Sequence, residues 1–167
     1  LFGLKSRGTY RTLSHIEILK IPAILFKEFV NRNKLLNQLQ KTLEAIEFLQ
    51  QTWLFGESIS SPIQCQIAQS LTLAKFKKGE KIECDGLMLV KEGIVELSSR
   101  GKEKTESQHV VGKGDFWGGE KMNSSEAKCS YAKAITQTMI YSITDIEILR
   151  QIPIIRWKLL EQSEKRE

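Results

Sequence analysis

The chain has 167 residues, of which 41% are hydrophobic and 27% are charged, and its net charge is +5. This length suits one domain of ordinary size, or one domain with part of a neighbour. No stretch approaches the roughly 20 apolar residues that a membrane span needs, and no secretory signal pattern is present. Positive charges alternate with glutamates between Lys77 and Glu83, a pattern typical of a solvated surface rather than of a nucleic-acid-binding patch.

The cysteines and histidines limit the chemistry. Cys65, Cys84 and Cys129 have no metal-ligand spacing, and their odd number argues against a disulfide framework. A reducing, cytoplasmic setting is therefore expected. His15 and His109 are far apart in sequence, which argues against a clustered-histidine metal site and against a Ser–His–Asp or Cys–His pair. We therefore predict no metal, no cofactor and no enzymatic activity.

The first third of the chain is predicted to be a β-rich segment followed by helices. Apolar and β-branched residues over Thr9–Ile21 predict one or two strands. Pro22 then opens a helical region over Ala23–Phe55, with a bend at Asn31–Asn33. A hydroxyl residue followed by proline, at Ser60–Pro62, is typical of the start of another helix.

Short apolar segments alternate with turn glycines from Thr72 onwards, which favours an antiparallel sandwich or barrel. The segments are Thr72–Phe76, Lys81–Cys84, Leu87–Val90, Ile94–Ser98, Gln108–Val111, Ala132–Ile135 and Met139–Ile143. Helical patterns return over Asp145–Gln151 and in an amphipathic tail from Pro153. This order predicts an α+β fold, an antiparallel β-roll or jelly roll with flanking helices.

A weak internal repeat relates the two ends of the chain. The matched pairs are Tyr10–Leu13 with Tyr131–Ala134, Glu17–Ile21 with Met139–Ile143, and Lys34–Gln38 with Lys158–Gln162. We therefore expect residues 1–38 to be the C-terminal part of a first domain and residues 39–167 to form a second domain of the same kind. Chance similarity between two amphipathic segments is the alternative. Because the sequence begins with Leu1 rather than Met, we expect it to be a piece of a longer protein.

The glycine-rich segment Gly112–Glu120 is a candidate anion site. Gly118 and Gly119 allow close backbone approach, and a glycine turn that leads into a helix aims several N–H groups at one point. The segment lacks the Gly-Lys-Ser/Thr of an ATP-binding P-loop.

Four segments together resemble the cyclic-nucleotide-binding domain family, the type found in catabolite activator protein and in the regulatory subunit of protein kinase A. They are Trp53–Phe55, Phe76–Ile82, Leu87–Leu97 and Gly112–Glu120, which match the family's lead-in, opening strands, central strands and the start of its phosphate-binding cassette. The resemblance covers Leu49 to the C-terminus. It implies a β-roll with cAMP or cGMP as the candidate ligand.

The resemblance implies a ligand site formed by Gly118, Gly119, Glu120, Lys128, Cys129 and Ser130. In the family, a glutamate of the cassette accepts a hydrogen bond from the ribose 2′-hydroxyl, and Glu120 matches that position. An arginine of the family pairs with the cyclic phosphate. Lys128 stands in its place, and it keeps the charge but loses the planar fork. Residues 121–126 are polar where the family has apolar residues, so the cassette departs from the usual pattern.

These features predict a non-catalytic sensor that binds a cyclic nucleotide or a related anionic ligand and relays binding through the tail helix from Pro153. Trp157 on that helix is a candidate lid, with core or dimer packing favoured for it, and Trp117 is expected to pack at the rim of the roll. The alternative is a degenerate domain without ligand that acts in dimerisation or protein docking. The expected partner is a second copy or an effector domain of the same protein. No membrane partner is expected, and no nucleic acid, because no DNA-reading element follows the tail.

Overall fold

The computed structural model describes residues 9, 11–56, 59–100, 106–119 and 131–165. The chain divides into two units, residues 1–41 and residues 42–167. Within the described residues, no helix combines the length and the apolar character that are needed to cross a bilayer.

The predicted helical region is two helices, α1 over Ala23–Arg32 and α2 over Leu36–Gln51. The predicted bend is the junction between them. There Lys34 adopts a left-handed φ of 54°, and the N–H of Leu35 donates to the carbonyl oxygen of Val30 at 3.0 Å. This hydrogen bond belongs to a Schellman motif, which ends α1 by satisfying one of its last carbonyl groups.

The strands predicted between Thr9 and Ile21 are not formed, because the described residues of this segment have no regular secondary structure. A strand is stable only when a neighbouring strand takes up its backbone hydrogen bonds, and the described part of the first unit supplies no such neighbour. The apolar side chains of the segment stay exposed, and Leu13 and Leu19 are each 96% exposed. The segment therefore has the composition of a strand, but the described part of the first unit offers it no strand to pair with.

In the second unit, the end of α2 is followed by helix α3 over Ser61–Ser70, which starts next to Ser60 as predicted, although the Ser60 side chain makes no capping hydrogen bond. The described residues then form eight strands: β1 Thr72–Phe76, β2 Lys81–Ile82, β3 Leu87–Glu92, β4 Val95–Arg100, β5 Glu106–Val111, β6 Phe116–Trp117, β7 Tyr131–Ala134 and β8 Thr138–Ile143. Two helices follow, α4 over Ile146–Arg150 and α5 over Pro153–Lys165.

The strands form two antiparallel sheets with the orders β1-β8-β3-β6 and β2-β7-β4-β5. This arrangement confirms the predicted α+β fold with an antiparallel roll between residues 72 and 143. Strand β6 was not predicted. It has only two residues, which is too short for an alternating pattern to appear in the sequence.

Strand β3 is buried on both faces, which explains why its sequence is a continuous apolar run instead of an alternating one. Met88 and Val90 belong to the core between the two sheets, so their predicted interior position is confirmed. Leu87 and Leu89 belong to a second core, which the roll forms with the helices. Movement of β3 would therefore disturb both cores.

Two glycines allow three strand ends to approach one another through their main chains. Gly86, before β3, and Gly118, after β6, have φ values of +89° and +85°. A Cβ atom on Gly86 would lie 2.1 Å from the carbonyl oxygen of Ile143, and one on Gly118 would lie 2.2 Å from the carbonyl oxygen of Gly86. Both the backbone angle and the space therefore require glycine at these positions.

Gly118→Ala is expected to lower the free energy of unfolding by about 3 kcal/mol or more, since strain at a left-handed residue adds to a main-chain clash. Gly79→Ala is the matched control. Gly79 has the same φ of +85° with no atom within 4 Å of the added Cβ, so only about 1–2 kcal/mol of conformational cost is expected there. Urea unfolding monitored by circular dichroism measures both. Equal losses would show that the close approach does not constrain the fold.

Candidate functional site

The structure describes two of the six predicted site residues. Gly118 and Gly119 follow β6 directly. Glu120, Lys128, Cys129 and Ser130 lie outside the described residues, so their grouping into a site stays a prediction.

A hydrogen-bonded turn positions the strand that leads to Gly118. Asp115 accepts a hydrogen bond on Oδ2 from the N–H of Gly112 at 2.8 Å and donates its own N–H to the carbonyl oxygen of Gly112 at 3.0 Å. The turn is fixed to β3, because the N–H of Gly114 donates to the carbonyl oxygen of Val90 and the N–H of Val90 donates to that of Asp115, both at 2.9 Å. Residue 116 therefore enters β6 in a defined register, with Phe116 opposite Leu89.

The two residues of β6 point to opposite sides of the sheet. Trp117 is fully buried in the core between the sheets, where its indole N–H donates to the sulfur of Cys84 at 3.1 Å. The prediction that Trp117 packs at the rim was wrong, because strand alternation turns this side chain into the roll. Its ring fills part of the interior.

Phe116, on the other face of the sheet, connects β6 to the helices. Its ring is parallel to that of Trp53, with an interplanar angle of 2° and centroids 6.3 Å apart. The ammonium group of Lys158, on α5, lies 5.1 Å from the centroid of the Trp53 ring and donates to the Trp53 carbonyl oxygen at 2.5 Å. A single line of contacts thus runs from Lys158 on α5 through Trp53, two residues after the end of α2, to Phe116, two residues before Gly118.

Helix α5 also makes a direct contact with the segment Gly118–Gly119, which is called the glycine turn below. A Cβ atom added to Gly119 would lie 2.8 Å from a terminal methyl carbon of Leu159 and 3.6 Å from one of Leu87. Leu159 therefore packs directly against the backbone of Gly119. A larger residue at position 119 would overlap the Leu159 side chain. The site joins a glycine turn, the apolar side of α5 and the start of β3.

Sequence reasoning missed the α5 residues that contact the site. Trp157, the candidate lid, is 57% exposed, so it does not pack in the core, and the dimer packing favoured alongside core packing stays a prediction. The neighbouring Lys158 and Leu159 are buried instead. An apolar residue in an amphipathic tail could have pointed to Leu159, but no sequence signal marks Lys158, because lysine is rarely buried.

A cavity of about 270 Å³ lies elsewhere on the second unit. Its lining residues are Glu44, Glu47, Phe48, Gln51, Lys91, Glu92 and Lys113, and they do not include Gly118 or Gly119. Among the residues the structure describes, no group of three or more His, Cys, Asp or Glu side chains is arranged to hold a metal ion. The described part of the site offers backbone groups and apolar packing, which suit ligand binding and mechanical coupling.

No protein-family model matches the sequence, and no curated protein matches it. Solved structures do resemble it. One is the regulatory subunit of a cAMP-independent protein kinase A from Trypanosoma brucei, with 20% identity, a TM-score of 0.64, and coverage of 75% of this chain and 48% of that chain. The corresponding subunit from Trypanosoma cruzi, bound to guanosine, has 23% identity, a TM-score of 0.55, and coverage of 62% and 39%.

The regulatory domain of Toxoplasma gondii protein kinase A, in a co-crystal with cAMP, has 15% identity and a TM-score of 0.64, with coverage of 75% of this chain and 51% of that chain. The chain thus spans about half the length of these proteins or less. The likeness shows the fold, a roll of two antiparallel sheets with flanking helices like that of these regulatory proteins, which agrees with the predicted fold. A preceding copy of the domain, ending in residues 1–38, stays a prediction.

Gly119→Ala and Leu159→Ala are expected to compensate for each other. Gly119→Ala alone should cost about 1–3 kcal/mol of unfolding free energy, because the new methyl group overlaps Leu159. Leu159→Ala alone should cost about 2–5 kcal/mol through the lost burial. The double variant should be about 1 kcal/mol more stable than the sum of the two losses predicts, because the methyl group then occupies vacated space.

Urea unfolding of the four proteins measures this coupling. Gly112→Ala is the control, since Gly112 has an ordinary φ and no atom within 4 Å of an added Cβ, and its substitution should leave stability nearly unchanged. Strictly additive losses for positions 119 and 159 would refute the direct contact between the glycine turn and α5.

Proposed function

We propose that this chain is a non-catalytic regulatory module that binds a cyclic nucleotide, or a related anionic ligand, at the glycine turn after β6 and relays binding through α5. The contact between Leu159 and Gly119 carries the proposal. It makes the helix and the backbone of the turn share one small volume. A ligand that draws the turn toward itself changes the packing of Leu159 and so shifts the position of α5 between states that already exist.

The chemistry of the turn supports an anionic ligand. Backbone N–H groups around a left-handed residue such as Gly118 form concave sites that attract anions. Glu120 would accept a hydrogen bond from a ribose hydroxyl, and Lys128 would face the phosphate. Because lysine lacks the fork of arginine, we expect weaker selection for a phosphate than an arginine would give.

The comparisons give two ligand classes to test. The Toxoplasma gondii domain was crystallised with cAMP, and the Trypanosoma cruzi subunit is bound to guanosine. A purine nucleoside is common to both ligands, and the cyclic phosphate is present in only one of them. The test of this chain therefore includes cAMP, cGMP and guanosine.

One observation favours the second candidate function, a roll without ligand that acts in dimerisation or protein docking. Trp117 occupies the interior between the sheets, and its indole N–H is satisfied by Cys84, so this part of the roll is filled by the protein's own side chains. A module of this kind would keep the fold and the helices and lose the sensor role.

We also propose that residues 1–38 are the C-terminal part of a preceding domain of the same kind. The internal repeat pairs residues 17–21 with strand β8, which lies between β1 and β3. In β8 the residues Ile140, Tyr141 and Ile143 are buried, whereas the exposed residues of the first unit include Ile18 and Leu19. In the repeat, the exposed Ile18 and Leu19 thus correspond to the buried Ile140 and Tyr141.

Isothermal titration calorimetry of the purified chain with cAMP, cGMP and guanosine tests the sensor proposal. At least one ligand is expected to bind with a Kd well below millimolar. Glu120→Ala and Lys128→Ala should each weaken that binding by about 10- to 100-fold, the usual effect of losing a hydrogen bond to a charged group. Glu83→Ala and Lys81→Ala, at exposed positions, are the charge-matched controls and should bind as the unmodified chain does.

Absence of binding by all three ligands at millimolar concentration would reject the sensor. In that case, sedimentation velocity separates the second candidate from an inert fragment. A monomer–dimer equilibrium that depends on protein concentration and ignores nucleotides would support dimerisation.

A further inference from the structure

Lys158 occupies a position that is unusual for lysine. It lies on α5 with only 8% of its surface exposed, although lysine is almost never fully buried without a partner. Its Nζ atom donates to the backbone carbonyl of Trp53 at 2.5 Å and lies 5.1 Å from the centroid of the same residue's ring. One residue on the segment after α2 therefore satisfies the ammonium group through two different interactions.

Both interactions depend on the position of α5. A hydrogen bond weakens steeply as its angle and distance depart from the optimum, and a cation–π contact requires the charge to lie over the ring. The residues are 105 positions apart in sequence, so the contact exists only while α5 is docked against the end of α2. A buried charge that loses its partners is costly, which makes partial undocking with the ammonium still buried unfavourable.

Trp53 extends the contact to the glycine turn. Its ring, 49% exposed, lies parallel to that of Phe116, which begins β6 only two residues before Gly118. Lys158 thus contacts the same side chain that packs on the strand leading to the turn, and its neighbour Leu159 packs on the turn itself. Contacts of α5 therefore reach Phe116, through Trp53, and Gly119, through Leu159.

We propose that Lys158 is a positioning residue. Its two contacts with Trp53, together called the latch, hold α5 against the segment after α2 and so set the docked fraction of the helix before any ligand is present. Its consequence for signalling rests on the proposed function, because release of α5 matters only if α5 is the output. The latch itself is a property of the ligand-free chain and is measured there.

Amide hydrogen–deuterium exchange of the ligand-free chain tests the latch. Lys158→Met keeps an unbranched side chain, one atom shorter, and removes the ammonium group, so exchange over residues 153–165 should become about tenfold faster, while β3 and β8 keep their protection. Lys158→Arg should restore slow exchange, because a guanidinium also donates to a carbonyl and stacks on an indole. Arg156→Met, an exposed residue of the same helix, is the matched control and should exchange as the unmodified chain does.

Unchanged or slower exchange in Lys158→Met would overturn the proposal, and such a result is physically meaningful because replacing a buried charge by an apolar side chain can be stabilising. Failure of Lys158→Arg to restore protection would also overturn the proposal, because the proposal assigns the effect to the positive charge and arginine keeps that charge.

A double-variant cycle with Trp53→Leu locates the partner. Once the indole is absent, Lys158→Met should accelerate exchange of α5 by a clearly smaller factor than it does in the unmodified chain. Equal factors in both backgrounds would show that the indole contributes nothing and would overturn its part in the proposal, because the backbone carbonyl of residue 53 is present in both backgrounds. The outcomes remain separate from ligand binding: a latch without a nucleotide response rejects the sensor alone, and a nucleotide response without the latch rejects this inference alone.

Discussion

The close main-chain approach of Gly118 to Gly86, and of Gly86 to Ile143, is the constraint on which the site depends. It brings the end of β6, the start of β3 and the end of β8 together with no side chain between them. Because β6 has only two residues, its pairing with β3 cannot by itself fix the chain that follows. The glycine contact does so, and it places Gly119 where Leu159 of α5 covers it.

Strand β3 carries this local constraint into both cores. Its alternate residues pack into the space between the sheets and against the helices, so the roll and its helical cover share one central strand. The second core includes residues of α2, α3, α4 and α5 together with Phe116 and Tyr141. A close-packed arrangement of this kind responds to a shift at one point by moving elements as bodies, because it has little free volume in which to absorb the shift. If α5 relays binding as proposed, this packing would couple Gly119 to the helix without a hinge inside the helix.

Much of the fold was readable because glycine turns and short alternating segments are local signals. The approximate bounds of α3, β1, β3, β8 and α4 follow from such signals, whereas β6 is too short to produce one. Trp117 was assigned to the rim because its direction depends on the register of that unseen strand. The strands predicted near Leu13 are unformed because pairing is a non-local property. For the candidate site, the glycine turn was predicted, but burial of Lys158 depends on tertiary contacts that composition does not encode.

The two contacts of α5 with the turn region differ in kind, and the difference affects how the helix can move. Packing of Leu159 on Gly119 is apolar and non-directional, so it would tolerate sliding of the helix along the turn. The hydrogen bond from Lys158 to the carbonyl of Trp53 is directional and tolerates little displacement. Together they favour one register of α5 and penalise intermediate ones. Under the proposed function, a helix held in this way would move between discrete positions rather than slide, as a two-state regulatory module requires.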